Sequence, residues 1–286
     1  MNDTFYYISA AGCSVCYAFA TILEQIAAKK QKDIKSLNPK NLIGLFNQLP
    51  YVAGIVLDLA GGGLFLLASR ALPLFLVFSF VAFSLVITAV INKVILGNSS
   101  SNLEKLAIVS VVIGIILLAV VAEPTKVRHV NQAFVTILEL STIPIGLIGF
   151  SMLKANLNRY SGLGLGALAG LSFGATGLIS RVVHFSSLKD IFQWLILALV
   201  VYGALSLFFL AAALQRASVN KVNSFLYAVE LPVPSLLGIA FLGDEVKNGE
   251  WPLMVAGFIF VIVGTVLVSL GVKEANDQKH LATPKT

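Results

Sequence analysis

The sequence predicts an all-α, polytopic membrane helix bundle of about nine transmembrane helices, with ten as the alternative count, built as two inverted repeats around a linking helix. Three observations carry this expectation. Of the 286 residues 57% are hydrophobic and only 12% charged, whereas a soluble domain lies nearer half and a quarter. Mean hydropathy is +0.90. The apolar residues also gather into runs of roughly 20, the length that crosses a hydrocarbon core as a helix.

Nine such runs span residues 3–28, 44–69, 72–96, 103–122, 131–152, 161–184, 189–214, 217–242 and 251–271. The first contains the small-x-small triplet Ala18-Phe19-Ala20, a form that a cleaved signal peptide shares. Its N-terminus Met1-Asn2-Asp3-Thr4 lacks Lys and Arg and Glu24 follows within the run, so a retained helix is expected. Cys13 and Cys16, the two cysteines, lie in this run with no further metal ligand near in sequence and are read as packing residues.

Arg70 and Pro73 divide the second run from the third, and Gln215 and Arg216 divide the seventh from the eighth. Asp58 falls near the centre of the second run, followed by Gly61-Gly62-Gly63, which could loosen that helix. The fifth run carries Glu139 a few residues off centre and Pro144 five residues later. Gly162, Gly166, Gly170 and Gly174 recur every four residues in the sixth, a stripe along one helix face that lets a neighbour approach closely. Gly12, Cys16 and Ala20 make a similar stripe on the first. Near the centre of the eighth run stand Glu230, Pro232 and Pro234.

Three stretches recur in order. SAAGCSVCYAFATILEQ (9–25) resembles ALAGLSFGATGLISRV (167–182), ASRALP (68–73) resembles LQRASV (214–219), and VVIGIILLAV (111–120) resembles VIVGTVLVSL (261–270). The organisation expected is a first repeat over 1–122, a linking helix over 131–152, a second repeat over 161–272 and a cytoplasmic tail over 273–286. An odd number of spans between repeat starts inverts the second unit, a plan common among secondary transporters.

With the N-terminus outside, 14 of the 20 Lys and Arg residues fall on the inner side; the other six are Arg70, Lys126, Arg128, Arg181, Lys189 and Lys247. The positive-inside rule therefore predicts an external N-terminus and a cytoplasmic C-terminus in the cell (plasma) membrane. The net charge of +6 sits in short gaps between apolar runs rather than in a continuous patch with aromatics, so no nucleic-acid partner is expected.

Chemistry is sought where polarity is most expensive. A carboxylate at mid-membrane costs about 2.5–3.5 kcal/mol on insertion scales, and Asp58, Glu230 and Glu139 all lie deep with no basic residue at matching depth. They are the candidate substrate- or proton-binding residues, with Tyr227 and Ala228 beside Glu230. Pro232 and Pro234 cannot donate to the carbonyls of Ala228 and Glu230, nor Pro144 to that of Leu140, so hinges or helix breaks are expected at these prolines. Each should also push its predecessor, Leu231 or Val233, out of helical geometry. Freed carbonyls with Glu230 and Asp58 would suit a hard cation; rings such as Tyr17, Tyr51, Tyr202 and Tyr227 would suit an organic solute. No metal identity follows. His129, His184 and His280 lie outside or at the edge of the runs, and no nucleophile–base or metal-pair spacing occurs, so no enzyme and no cofactor are expected.

Residues 211–269 supply a family pattern: Ala213-Leu214 at a helix end, Glu230 with Pro232, Leu242-Gly243-Asp244-Glu245, then Gly257 and Gly264 in the last helix. This resembles the closing helices of the drug/metabolite transporter superfamily, including EamA-like proteins. The first half departs from it, since NSSSNLE follows ILG with no acid directly after the glycine. The nine-span layout, with LPLFLVFSFVAFSLVITAV (72–90) after a glycine-rich second helix, more weakly resembles NIPA-type magnesium transporters. The resemblances imply a secondary transporter moving a small molecule or ion by alternating access, proton-coupled in one version and magnesium-carrying in another. A homodimer is left open, and a non-transporting scaffold is the lesser alternative.

Overall fold

A computed structural model describes residues 3–30, 48–96, 102–123, 131–154, 159–183, 194–217 and 219–282. The described chain is all-α apart from one two-residue ribbon. Its helices are α1 (Asp3–Lys30), α2 (Leu49–Ser69), α3 (Leu74–Leu96), α4 (Asn102–Val121), α5 (Gln132–Leu140), α6 (Thr142–Lys154), α7 (Arg159–Val182), α8 (Trp194–Leu214), α9 (Val219–Glu230), α10 (Pro232–Leu237) and α11 (Trp251–Ala282). A π-helical turn, Gly238–Leu242, follows α10.

Among the described residues seven helical segments are long and apolar enough to cross a membrane, and Lys105–Val121 and Trp251–Leu267 are shorter apolar helices. Together they coincide with the nine apolar runs. The expected starts at 44 and 189 lie outside the described residues, as do Lys126, Arg128, Lys189, His129 and His184.

Local chemistry sets the helix ends. Pro50 sits in the first turn of α2, where a missing N–H breaks no internal bond. Asn131 caps α5 by accepting the Ala133 N–H at 2.9 Å. The fifth run is two helices, broken at Ser141 ahead of Pro144. There the Ser141 hydroxyl donates to the Leu138 carbonyl at 3.0 Å and stands 2.6 Å from the Tyr202 hydroxyl. Gly243 ends the π turn at φ 75°, a left-handed position that glycine takes without Cβ strain.

Lipid offers no hydrophobic drive for helices to associate, so close packing must hold them. The sixth-run stripe does this between α7 and α9. A side chain at Gly166 would meet Val222, one at Gly170 would meet the Leu226 backbone, and one at Gly174 would meet Pro234. The Gly12 position is touched by Leu64 of α2. Helix α4 packs along α11 through reciprocal contacts: Gly114 faces the Gly257 carbonyl and Val261, while Gly264 faces the Ala107 carbonyl and Val111. On the same seam the Ser110 hydroxyl donates to the Phe260 carbonyl at 2.7 Å.

The main core, with Phe75, Phe78, Leu118, Ile179, Leu231 and Leu242, lies among α2, α3, α4, α7 and the α9–α10 segment. A second, with Leu165, Phe209, Val222 and Leu226, lies among α7, α8 and α9. One end of the bundle is closed by an antiparallel ribbon of β1 (Ala122–Glu123) and β2 (Glu245–Val246), with Ala122 opposite Val246. Beside it the Lys247 ammonium donates to the Val120 carbonyl at 2.6 Å.

Candidate functional site

Two acids from distant parts of the chain lie within electrostatic reach of one tyrosine. Tyr17 of α1 lies within electrostatic reach of both Asp58 of α2 and Glu230 of α9, and of Cys13 one turn earlier on its own helix. The reason is visible in α2. Gly61 and Gly62 lie one turn after Asp58, on the same face. A side chain at Gly61 would strike the Tyr17 ring, 2.9 Å from Cε1, and the hydroxyl passes 3.8 Å from the Gly62 position. The glycine run makes room for a ring that lies beside the carboxylate.

Glu230 is 7% exposed, the last residue of α9, and Tyr227 three residues earlier interacts with it. Packing of α9 onto the α7 glycines fixes where this carboxylate stands, since the Glu230 carbonyl itself faces Gly174 at 3.4 Å from the Cβ position. Asp58, Tyr17 and Tyr227 are half-buried. The arrangement is two carboxylates and two phenols, able to accept hydrogen bonds from a solute, to exchange protons or to face a cationic group.

Ala228 is exposed on the outer side of α9, because one residue of helix turns about 100° away from Tyr227. Glu139 is half-buried on α5. Leu231 keeps helical angles, φ −85° and ψ −55°, despite preceding Pro232. The prolines end α9 and restart the helix as α10 without unwinding it, since Pro234 is held against Gly174. The Glu230 carbonyl freed by Pro234 therefore turns toward α7 rather than standing open as a cation ligand. Among the described residues no group of three or more His, Cys, Asp or Glu side chains is placed to hold a metal.

Tyr202 serves elsewhere: fully buried, its hydroxyl donates to the Leu138 carbonyl at 3.0 Å and closes the α5–α6 break. Compared with protein-family models, curated proteins and solved structures, the chain matches none.

A second charged group escapes the reading by depth. Arg181, in the last turn of α7, is 1% exposed and pairs with Asp244 just beyond the π turn. The same guanidinium donates to the carbonyls of Ser69, at 3.0 Å, and Leu72, while Asp244 accepts the Leu74 N–H at 2.7 Å. Arg181 lies at the edge of its apolar run and Asp244 just past the end of another, positions that read in sequence as boundary residues. A faint signal was present, for glycine at 238 leaves the space that the Asp244 carboxylate fills.

Proposed function

We propose that the chain is a secondary membrane transporter that moves a small organic solute by alternating access, with Tyr17, Asp58 and Glu230 as its solute- and proton-handling group. The observation that carries this reading is that two acids from the middle of long apolar segments, one from each half of the chain, lie within electrostatic reach of a single tyrosine. Ionisable groups at that depth are expensive and are kept where a pathway needs them. Flanking by Tyr17 and Tyr227 favours an organic solute over a bare metal ion, which would ask for more oxygen ligands.

The drug/metabolite transporter superfamily, EamA-like in character, remains the proposed kinship, with an external N-terminus and a plasma-membrane location. The inverted repeat of this proposal is supported by the α4–α11 seam. The alignment that matches 111–120 with 261–270 turns the Gly114 contacts with Gly257 and Val261 into the Gly264 contacts with Ala107 and Val111, and both sets are present. A pair of antiparallel helices related by a two-fold axis makes such reciprocal contacts.

The deciding experiment is a solute uptake screen in proteoliposomes, with and without a pH gradient, on the wild type and Glu230→Gln. Loss of transport in the Gln variant supports the reading. Transport that survives unchanged removes Glu230 from it.

A further inference from the structure

We propose that the Arg181–Asp244 pair is a gate latch, closing one mouth of the path to the Tyr17–Asp58–Glu230 group and opening when the two ions part and hydrate. The proposal rests on the transporter reading above.

The pair stands where three segments around that group meet. Arg181 ends α7, its acceptors Ser69 and Leu72 end α2 and form the turn into α3, and Asp244 follows the π turn that continues α9 and α10. Asp58 is on that same α2 and Glu230 on that same α9 segment. Along α2 the latch is about 16 Å from Asp58, eleven residues at roughly 1.5 Å each. Parting the pair, with the Asp244 bond to the Leu74 N–H released as well, frees the π turn from α7 and from the start of α3 at one end of the acid group; the seam between α2 and α7 is marked by Ser69 and Ser180, whose hydroxyl oxygens are 3.2 Å apart.

Energetics favour a switch over a strut. Both side chains are 0% exposed, and a buried pair gives up in hydration much of what it gains by attraction. Partners of the two ions include each other and main-chain groups, which water can replace. Hydration of the parted ions therefore offsets part of the attraction lost on opening, which a purely apolar seal would not provide. The segment carrying Asp244 has its own weak point as well: a π turn interrupts the regular hydrogen-bond ladder, and Gly243 follows in the left-handed region.

Cys16 is the native reporter, its Cβ lying 3.3 Å from the Gly61 position beside Tyr17. Wild type and the Arg181→Gln/Asp244→Asn double variant are sealed in vesicles of each orientation, treated with a membrane-impermeant maleimide, and Cys16 labelling is read by peptide mass. From the Arg181 side the double variant should label about tenfold faster, as expected when the open state gains population. Equal labelling in a variant that keeps wild-type helicity and elution overturns the latch. Should that variant fail to fold, Ser69→Cys/Ser180→Cys decides: the oxidised form should lose about tenfold in Cys16 labelling from that side and regain it on reduction. Equal rates in the two redox states overturn the proposal. Because labelling requires no substrate, absence of transport would sink the transporter reading and leave this result standing on its own.

Discussion

The carbonyl oxygen of Leu226 occupies the place that a side chain at Gly170 would need. Backbone therefore meets backbone at the crossing of α7 and α9, and no rotamer change can absorb an added atom. Gly170→Ala should destabilise the protein by about 1–3 kcal/mol, the usual cost of overpacking. Thermal unfolding in detergent measures it. Gly203→Ala, where no neighbour lies within 4 Å of the added carbon, should leave the melting temperature unchanged or raised.

Tyr17→Phe removes the hydroxyl within electrostatic reach of Asp58 and Glu230 and keeps the ring that packs on Gly61. Proteoliposome transport should fall by about tenfold with folding unaffected, and its loss should combine with Glu230→Gln less than multiplicatively, as for residues in one network. Multiplicative losses would separate the two residues.

Tyr202→Phe deletes the donor to Leu138 and the partner of Ser141 at the α5–α6 break. The buried carbonyl then keeps one acceptor direction unfilled, so stability should drop by about 1–2 kcal/mol. Transport by the folded fraction should be that of the wild type, which a melting curve and an uptake assay on the same sample can establish.

Gly114→Leu and Gly264→Leu insert the same bulk at reciprocal places on the α4–α11 seam. Their losses in melting temperature should be similar, and the double variant should lose less than the two together, because the first insertion already opens the seam. Unequal losses would argue against the reciprocity of that interface.

Much of the fold was legible because a membrane helix announces itself by length and polarity alone. The glycine period of four in the sixth run already implied a close neighbour, though not that Val222, Leu226 and Pro234 would be the contacts. Depth singled out Asp58 and Glu230, the two acids within electrostatic reach of Tyr17. Depth says nothing about which face of a helix turns inward, and Ala228 stands exposed while Glu139 is half-buried. Gly61 was taken as a source of looseness, yet its lack of a side chain seats the Tyr17 ring. Arg181 and Asp244 were invisible as a pair because charges near span ends ordinarily reach water, and only the tertiary fold buries these two.

The ribbon of Ala122–Glu123 with Glu245–Val246 has a mechanical consequence. Sliding α11 along α4 by even one residue would break its register, pull Lys247 from the carbonyls of Val120 and Val121, and drive Val261 into Gly114. These two helices must travel as one rigid post, and any rearrangement around the acids has to be carried by the helices that lean against it.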